Sequence, residues 1–186
     1  MKSLEIITID LSNCSEQTKI QIKTVYNLIQ RSTAYAHYHY SRSLFWWWMY
    51  WTGGILTIIF TSVLTIINSM YYYNANCETS QDITVKTINI VSTGLITIII
   101  GIFTFINPTE RRRDREDAAD KYHNLVNDIK KDVFFSGQPI SSENTVKLIE
   151  KYTTKFNDYV DFYYEPPMKE IEKLIDEYSS DINIIF

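Results

Sequence analysis

Charge is missing from two long stretches of this 186-residue chain: no Asp, Glu, Lys or Arg falls between Ser43 and Cys77, nor between Thr87 and Thr109. Runs of that length exclude an ordinary solvated surface for those segments. Proline and glycine are scarce, at 4 and 5 residues, and neither interrupts Cys14 to Trp51, which leaves room for one unbroken helix. Only two cysteines occur, Cys14 and Cys77. They flank the first uncharged run, so a chain that crosses a bilayer there places them on opposite faces, where they cannot bridge each other. The sequence has no nucleophile–base motif, no Gly-rich phosphate loop and no paired metal-ligand spacing. His37 and His39 point in different directions on a helix, and no Cys or carboxylate cluster accompanies them. These absences predict a protein with no enzymatic activity, no cofactor, no catalytic residues and no metal site. The formal net charge of −4 argues against a nucleic-acid partner.

What is present is a bilayer-length pattern. Phe45-Trp46-Trp47-Trp48-Met49-Tyr50-Trp51 opens an apolar run from Thr52 to Met70, and Tyr71-Tyr72-Tyr73 closes it. Trp and Tyr favour the membrane–water boundary because the ring is apolar while its N–H or O–H wants a wet partner. The two aromatic clusters are centred roughly 24 residues apart, or ~36 Å of helix. That exceeds the ~30 Å hydrocarbon core and fits within the ~40–45 Å that includes the headgroups. The second run, Ile88 to Ile106, covers ~28 Å of helix. It ends at Asn107-Pro108, and Arg111-Arg112-Arg113 follow closely. Both flanks are hydrophilic, which hides the pattern in a mean hydropathy of −0.16.

The pattern predicts an all-α membrane protein: a two-span transmembrane helical hairpin with a cytoplasmic helical bundle. Expected boundaries are an N-terminal cytoplasmic segment and helix at 1–43, spans at 44–70 and 87–107, an exterior loop at 71–86, and C-terminal cytoplasmic helices at 108–186. No leader is expected, so the first span is expected to act as its own insertion signal. Lys19, Lys23, Arg31 and Arg42 precede the first span, and Arg111, Arg112, Arg113, Arg115 and Lys121 follow the second, against Lys86 alone in the loop. That bias places both termini in the cytoplasm.

Outside the spans, apolar positions recur at steps of three and four. One face carries Ile22, Val25, Ile29, Thr33, Ala36 and Tyr40; a second carries Ala119, Tyr122, Val126, Ile129 and Val133. A third follows Val146, Ile149, Thr153, Phe156, Val160 and Tyr163, and a short last helix turns Ile171, Leu174, Ile175 and Tyr178 inward. Turn residues Ser136-Gly137-Gln138-Pro139 and Pro166-Pro167 separate these helices. One apolar stripe per helix calls for a bundle. The β-prone segments Leu4 to Ile9 and Ile182 to Phe186 invite pairing.

Three stretches resemble the SLATT family, two-transmembrane effector domains of bacterial conflict systems with relatives in eukaryotes and large DNA viruses. They are Ala34 to Arg42 leading into the first span, the close hairpin with its short loop, and Asn107-Pro108-Thr109-Glu110 followed by Ala118 to Leu125. The similarity covers roughly Ile20 to Val133. It implies action at a membrane, by pore formation.

Each span also carries a small and polar stripe: Gly54, Thr57, Thr61, Thr65 and Asn68 in the first, and Gly94, Thr97, Gly101 and Thr104, running on to Asn107, in the second. Small residues let helix backbones approach, and hydroxyls hydrogen-bond across the contact. These residues are the expected packing face or, in an oligomer, the face turned toward a water-filled path. Trp46, Trp47, Trp48, Trp51, Tyr71, Tyr72, Tyr73, Arg111, Arg112 and Arg113 are the expected interface anchors. The expected function is a self-associating, pore-forming or membrane-perturbing protein whose partners are the lipid bilayer and further copies of itself. The alternative is a structural membrane or virion scaffold that binds a protein layer through its cytoplasmic helices.

Overall fold

A computed structural model describes residues 7–10, 15–73, 81–134, 142–178 and 182–185. They form, in order, β1 (Ile7–Asp10), α1 (Glu16–Tyr73), α2 (Gln81–Ile106), α3 (Pro108–Phe134), α4 (Ser142–Phe162), α5 (Met168–Tyr178) and β2 (Ile182–Ile185). Cys14, Cys77 and the turn at Ser136 to Pro139 lie outside the described residues. So do the side chains of Asn68, Tyr71, Tyr72, Tyr73 and Tyr178.

The described chain is overwhelmingly helical, and two helices are long and apolar enough to cross a membrane. It divides into two compact units, Met1–Arg42 with Asp114–Phe186, and Ser43–Arg113. α1 passes from the first unit into the second without a break, as the absence of Pro and Gly before Trp51 allows. Ser15 starts it: its Oγ accepts the Thr18 N–H at 3.3 Å, satisfying one orphan donor of the first turn. α1 and α2 reach Tyr73 and start at Gln81, so both extend into the segment expected as loop.

In the first unit, α1, α3, α4 and α5 share one core. All five residues of the expected α3 stripe are buried, together with Ala118 and Leu125. At its centre the rings of Tyr35, Tyr122 and Phe156 meet with centroids 5.2–5.7 Å apart. Such a cluster contributes about 0.5–1.5 kcal/mol per pair beyond its area burial. Arg31 lies over Phe156 at 5.4 Å, and Arg42 pairs with Glu170 at 3.2 Å, linking α1 to α4 and α5.

Two of the expected faces are corrected. On α1, Tyr40 is exposed, and Ser32, Tyr35 and His39 take the buried seam instead. On α4 the expected Phe156 is buried and Ile149 and Val160 pack against the core, but Thr145 and Tyr152 are buried in place of Val146 and Thr153, which are exposed. Tyr152 drives this shift. Its ring joins the core while its hydroxyl, 2.5 Å from the Asp132 carboxylate of α3, donates a hydrogen bond. Thr153 offers neither area nor reach.

The ends of the chain also meet. β1 and β2 pair in parallel with Ile7 opposite Ile182 and Asp10 opposite Ile185. Parallel neighbours need a long crossover, and here it is nearly the whole chain.

Candidate functional site

In the second unit, α1 and α2 pack through a seam that differs from the expected stripes. Along α2 the less exposed positions are Asn89, Ser92, Ile96, Ile99, Phe103 and Ile106, in alternating steps of three and four. On α1 they include Trp46, Met49, Gly53, Thr57 and Leu64. Gly53 makes the closest approach: a Cβ built there would lie 2.1 Å from Phe103 Cζ and 2.2 Å from Cε1. The Phe103 ring therefore occupies the space that any side chain at 53 would need.

Among the expected stripe residues, Thr57 shares this seam. Gly54, Thr61, Thr65, Gly94, Thr97, Gly101 and Thr104 are exposed, and a Cβ at Gly54, Gly94 or Gly101 would meet nothing within 4 Å. The threonine hydroxyls do not reach across to the other helix. Thr57, Thr61, Thr65, Thr97 and Thr104 each donate to the carbonyl four residues earlier, at 2.8–2.9 Å. That geometry satisfies the hydroxyl without water. The large apolar side chains share this exposure. Ile58, Ile66, Ile90, Ile98 and Phe105 are 57–90 % exposed, and only 6 % of each apolar window is buried. A core helix of a soluble protein is mostly buried, and these two are not.

The α2–α3 junction is built by one residue. Asn107 has φ 46°, a left-handed backbone that Asn tolerates better than most non-glycine residues. Its N–H still donates to the Phe103 carbonyl at 3.0 Å, and its own carbonyl accepts the Arg111 N–H at 3.2 Å, so it ends α2 and starts α3. Its side chain caps α3: the Glu110 N–H donates to Oδ1 at 3.4 Å, and the Glu110 carboxylate accepts from Nδ2. Pro108 sits at the first helical position, where its missing N–H costs nothing. Arg111 completes the junction: Nε donates to the orphan Ile106 carbonyl at 2.9 Å, and the guanidinium lies 5.5 Å over the Trp46 ring. Of the expected anchors, Trp46 and Arg111 are thus brought together. Trp48, Trp51 and Arg113 are exposed, and Trp47 and Arg112 are half-buried.

Beside this junction lies an open groove of about 530 Å³. Gly53, Gly54 and Thr57 of α1 and Ile100, Phe103 and Thr104 of α2 line it, with Tyr50 and Asn107 to Thr109 at one end. Sequence reading missed it because Gly53, rather than Gly54, sets the helix approach. The signal was available in the position of Phe103 on the α2 heptad.

In the first unit, His39 departs from expectation. A titratable side chain on a helix reads as partly exposed, yet His39 is fully buried, stacked on Tyr122 at 5.8 Å. Nδ1 is 3.1 Å from Arg115 Nη1. A guanidinium only donates, so Nδ1 accepts and the ring proton resides on Nε2. Burial, aided by the Arg115 charge, lowers the imidazole pKa to about 4. Burial also pushes the Tyr122 phenol well above its usual range. The unit thus holds a neutral histidine inside an aromatic core, an arrangement suited to structure. Among the described residues no group of three or more His, Cys, Asp or Glu side chains could hold a metal ion.

No protein-family model, curated protein or solved structure matches this chain.

Proposed function

We propose that the chain is a two-span integral membrane protein that self-associates through its outward small-residue faces and perturbs the bilayer, in the manner the SLATT-like sequence features imply. The observation that carries this reading is the exposure of α1 and α2. Two bilayer-length helices present large apolar side chains over nearly their whole surface, with 6 % of each apolar window buried. Water would leave that surface as a contiguous patch far beyond the few hundred Å² that soluble monomers tolerate. Lipid satisfies it, and the helices satisfy their own backbone groups, as a bilayer demands.

The antiparallel hairpin is supported by Gly53, early in the first apolar run, meeting Phe103, late in the second. The Lys and Arg bias puts both termini on the cytoplasmic side. Self-association draws its support from the division of labour between faces. The intrachain contact uses the Gly53–Phe103 seam, which leaves Gly94, Gly101 and the back-bonded Thr61, Thr65 and Thr97 exposed. A small, self-satisfied face of this kind suits close packing with a second copy in lipid. Neither span holds a charged residue, so a path lined by this face would select weakly among ions.

The test is dye release from liposomes carrying the purified chain, compared with Thr61→Leu and Thr97→Leu. Concentration-dependent leakage that both variants reduce supports the reading. Absence of leakage at every concentration, from protein that carbonate does not extract, refutes the membrane-perturbing activity.

A further inference from the structure

Among the described residues of the first unit, six large apolar side chains are exposed, and they are unevenly spread. Ile20 and Val146 lie near the starts of α1 and α4. Tyr40 comes just before α1 leaves the unit at Arg42, and Phe162, Tyr164 and Met168, 56–79 % exposed, flank the turn between α4 and α5. We propose that this turn is a shallow membrane anchor, its three apolar side chains resting among the lipid headgroups of the bilayer that α1 and α2 cross. The inference rests on the membrane reading above and deepens it.

Contacts within the unit set the level of the turn along the bundle. The Tyr163 ring meets His39 of α1 edge-on, with centroids 6.3 Å apart, and its hydroxyl donates to the Asp117 carboxylate of α3. The Arg115 guanidinium lies 4.8 Å over the Tyr164 ring, and Glu170, in the first turn of α5, pairs with Arg42 at 3.2 Å. Pro166 is buried, and the Pro167 carbonyl accepts the Glu170 and Ile171 N–H groups at 2.9 and 3.2 Å. The turn is pinned on both sides, which leaves Phe162, Tyr164 and Met168 outward. On α1 the contacts fall at His39 and Arg42. Phe45, the first ring of the interfacial belt, comes three residues later, ~4.5 Å along the helix. A bilayer met by that belt therefore has its headgroups at the level of the turn. The composition suits that depth. Phe162 and Met168 bring apolar area, and Tyr164 brings a ring with a polar tip. Asp161 and Glu165 are exposed beside them and keep the turn out of the hydrocarbon, while the exposed Lys169 offsets part of their charge against lipid phosphates.

The test reads depth from a fluorophore on the full chain in phosphatidylcholine vesicles. Cys14→Ser and Cys77→Ser remove the native thiols, and Phe162→Cys, Met168→Cys, Val146→Cys or Ile98→Cys then carries a single nitrobenzoxadiazole label. A minor share of the lipid bears a nitroxide, either on the headgroup or deep in the acyl chain. Headgroup nitroxide is expected to quench positions 162 and 168 several-fold more than position 146, which lies ~24 Å from 162 along α4. Phe162→Asp, a change at a solvent-facing site that leaves the core untouched, should bring quenching at 168 down to the level of 146. Equal quenching at 162 and 146 overturns the proposal, and so does quenching at 168 that survives Phe162→Asp. A blue-shifted label at 162 that neither nitroxide quenches marks a protein partner or a second copy on this surface, which also overturns it. Position 98, exposed within α2, reports on the membrane reading separately, because acyl-chain nitroxide should quench it. Quenching at 98 without quenching at 162 defeats the anchor alone. Quenching at neither refutes the membrane reading and takes this inference with it.

Discussion

Adjacent glycines with opposite surroundings give the sharpest test of how α1 and α2 pack. Gly53→Ala places a Cβ 2.1 Å from Phe103 Cζ, roughly 1.5 Å inside the ~3.5–4.0 Å separation at which carbon atoms attract. Three atoms of the ring lie within 3 Å of that Cβ, so the ring must retreat as a body. Overpacking of this kind costs about 1–3 kcal/mol. Alanine in a helix returns up to about 1 kcal/mol of propensity, leaving Gly53→Ala neutral to about 2 kcal/mol destabilised. Gly54→Ala receives the same propensity gain with nothing in its way, so it should stabilise by up to about 1 kcal/mol. The two variants are matched in composition and differ by one position. Equilibrium unfolding in mixed micelles, followed by helical circular dichroism, would therefore read the contact directly. Adding Phe103→Ala to Gly53→Ala should recover most of the strain, and the double-mutant cycle isolates the coupling. If Gly53→Ala proves as stable as Gly54→Ala, the seam has been drawn on the wrong face of α1, and the hairpin geometry falls with it.

Three further outcomes follow from particular contacts. His39 has a pKa of about 4 in the fold against an ordinary 6.5, so between those values the unfolded chain binds the extra proton. Stability of the first unit should therefore fall as pH drops from about 6.5 to 4, by up to about 3 kcal/mol, and His39→Leu should flatten that part of a pH-dependent melting series. Asn107→Ala removes the side-chain cap and leaves alanine in a left-handed backbone, costing about 2–3 kcal/mol, whereas Asn107→Gly should cost less because glycine accepts that backbone; thermal melts rank the pair. Tyr152→Phe leaves the ring in the core and removes the hydroxyl bonded to Asp132. It should cost about 1–2 kcal/mol, and Asp132→Asn should cost less in the Tyr152→Phe background than in the unaltered chain, read by chemical denaturation.

The parts of the fold that sequence reading recovered are those set by long-range periodicity. Two apolar helices, the α3 stripe from Ala119 to Val133 and the breaks at Pro108 and Pro166-Pro167 all announce themselves through composition and spacing. What periodicity could not fix was phase. On α4, Val146 and Thr153 fit a three-and-four pattern as well as Thr145 and Tyr152 do. The choice between them came from a hydroxyl reaching Asp132 on another helix. His39 poses the same problem: a titratable side chain reads as surface until Arg115 and the Tyr122 ring are found around it.

In the spans, the stripe Gly94-Thr97-Gly101-Thr104 and the seam Ile96-Ile99-Phe103-Ile106 are both perfect heptad-like series on one helix, about half a turn apart. Small residues made the first a candidate for packing either within the hairpin or between protomers. The structure uses the second, because a large ring seated against the bare backbone of Gly53 fills more space than two facing rows of small side chains could. Choosing the large-residue seam inside the chain has a consequence for its exterior. The small-residue face is left where backbones of separate copies could approach, and the space beside Gly54 remains open. If close approach between copies depends on that face, Gly101→Leu should weaken self-association while leaving the Gly53–Phe103 contact and the helical signal intact. A detergent-solubilised mass measurement on that variant separates the two roles, and an unchanged oligomer would assign assembly to the helical bundle instead.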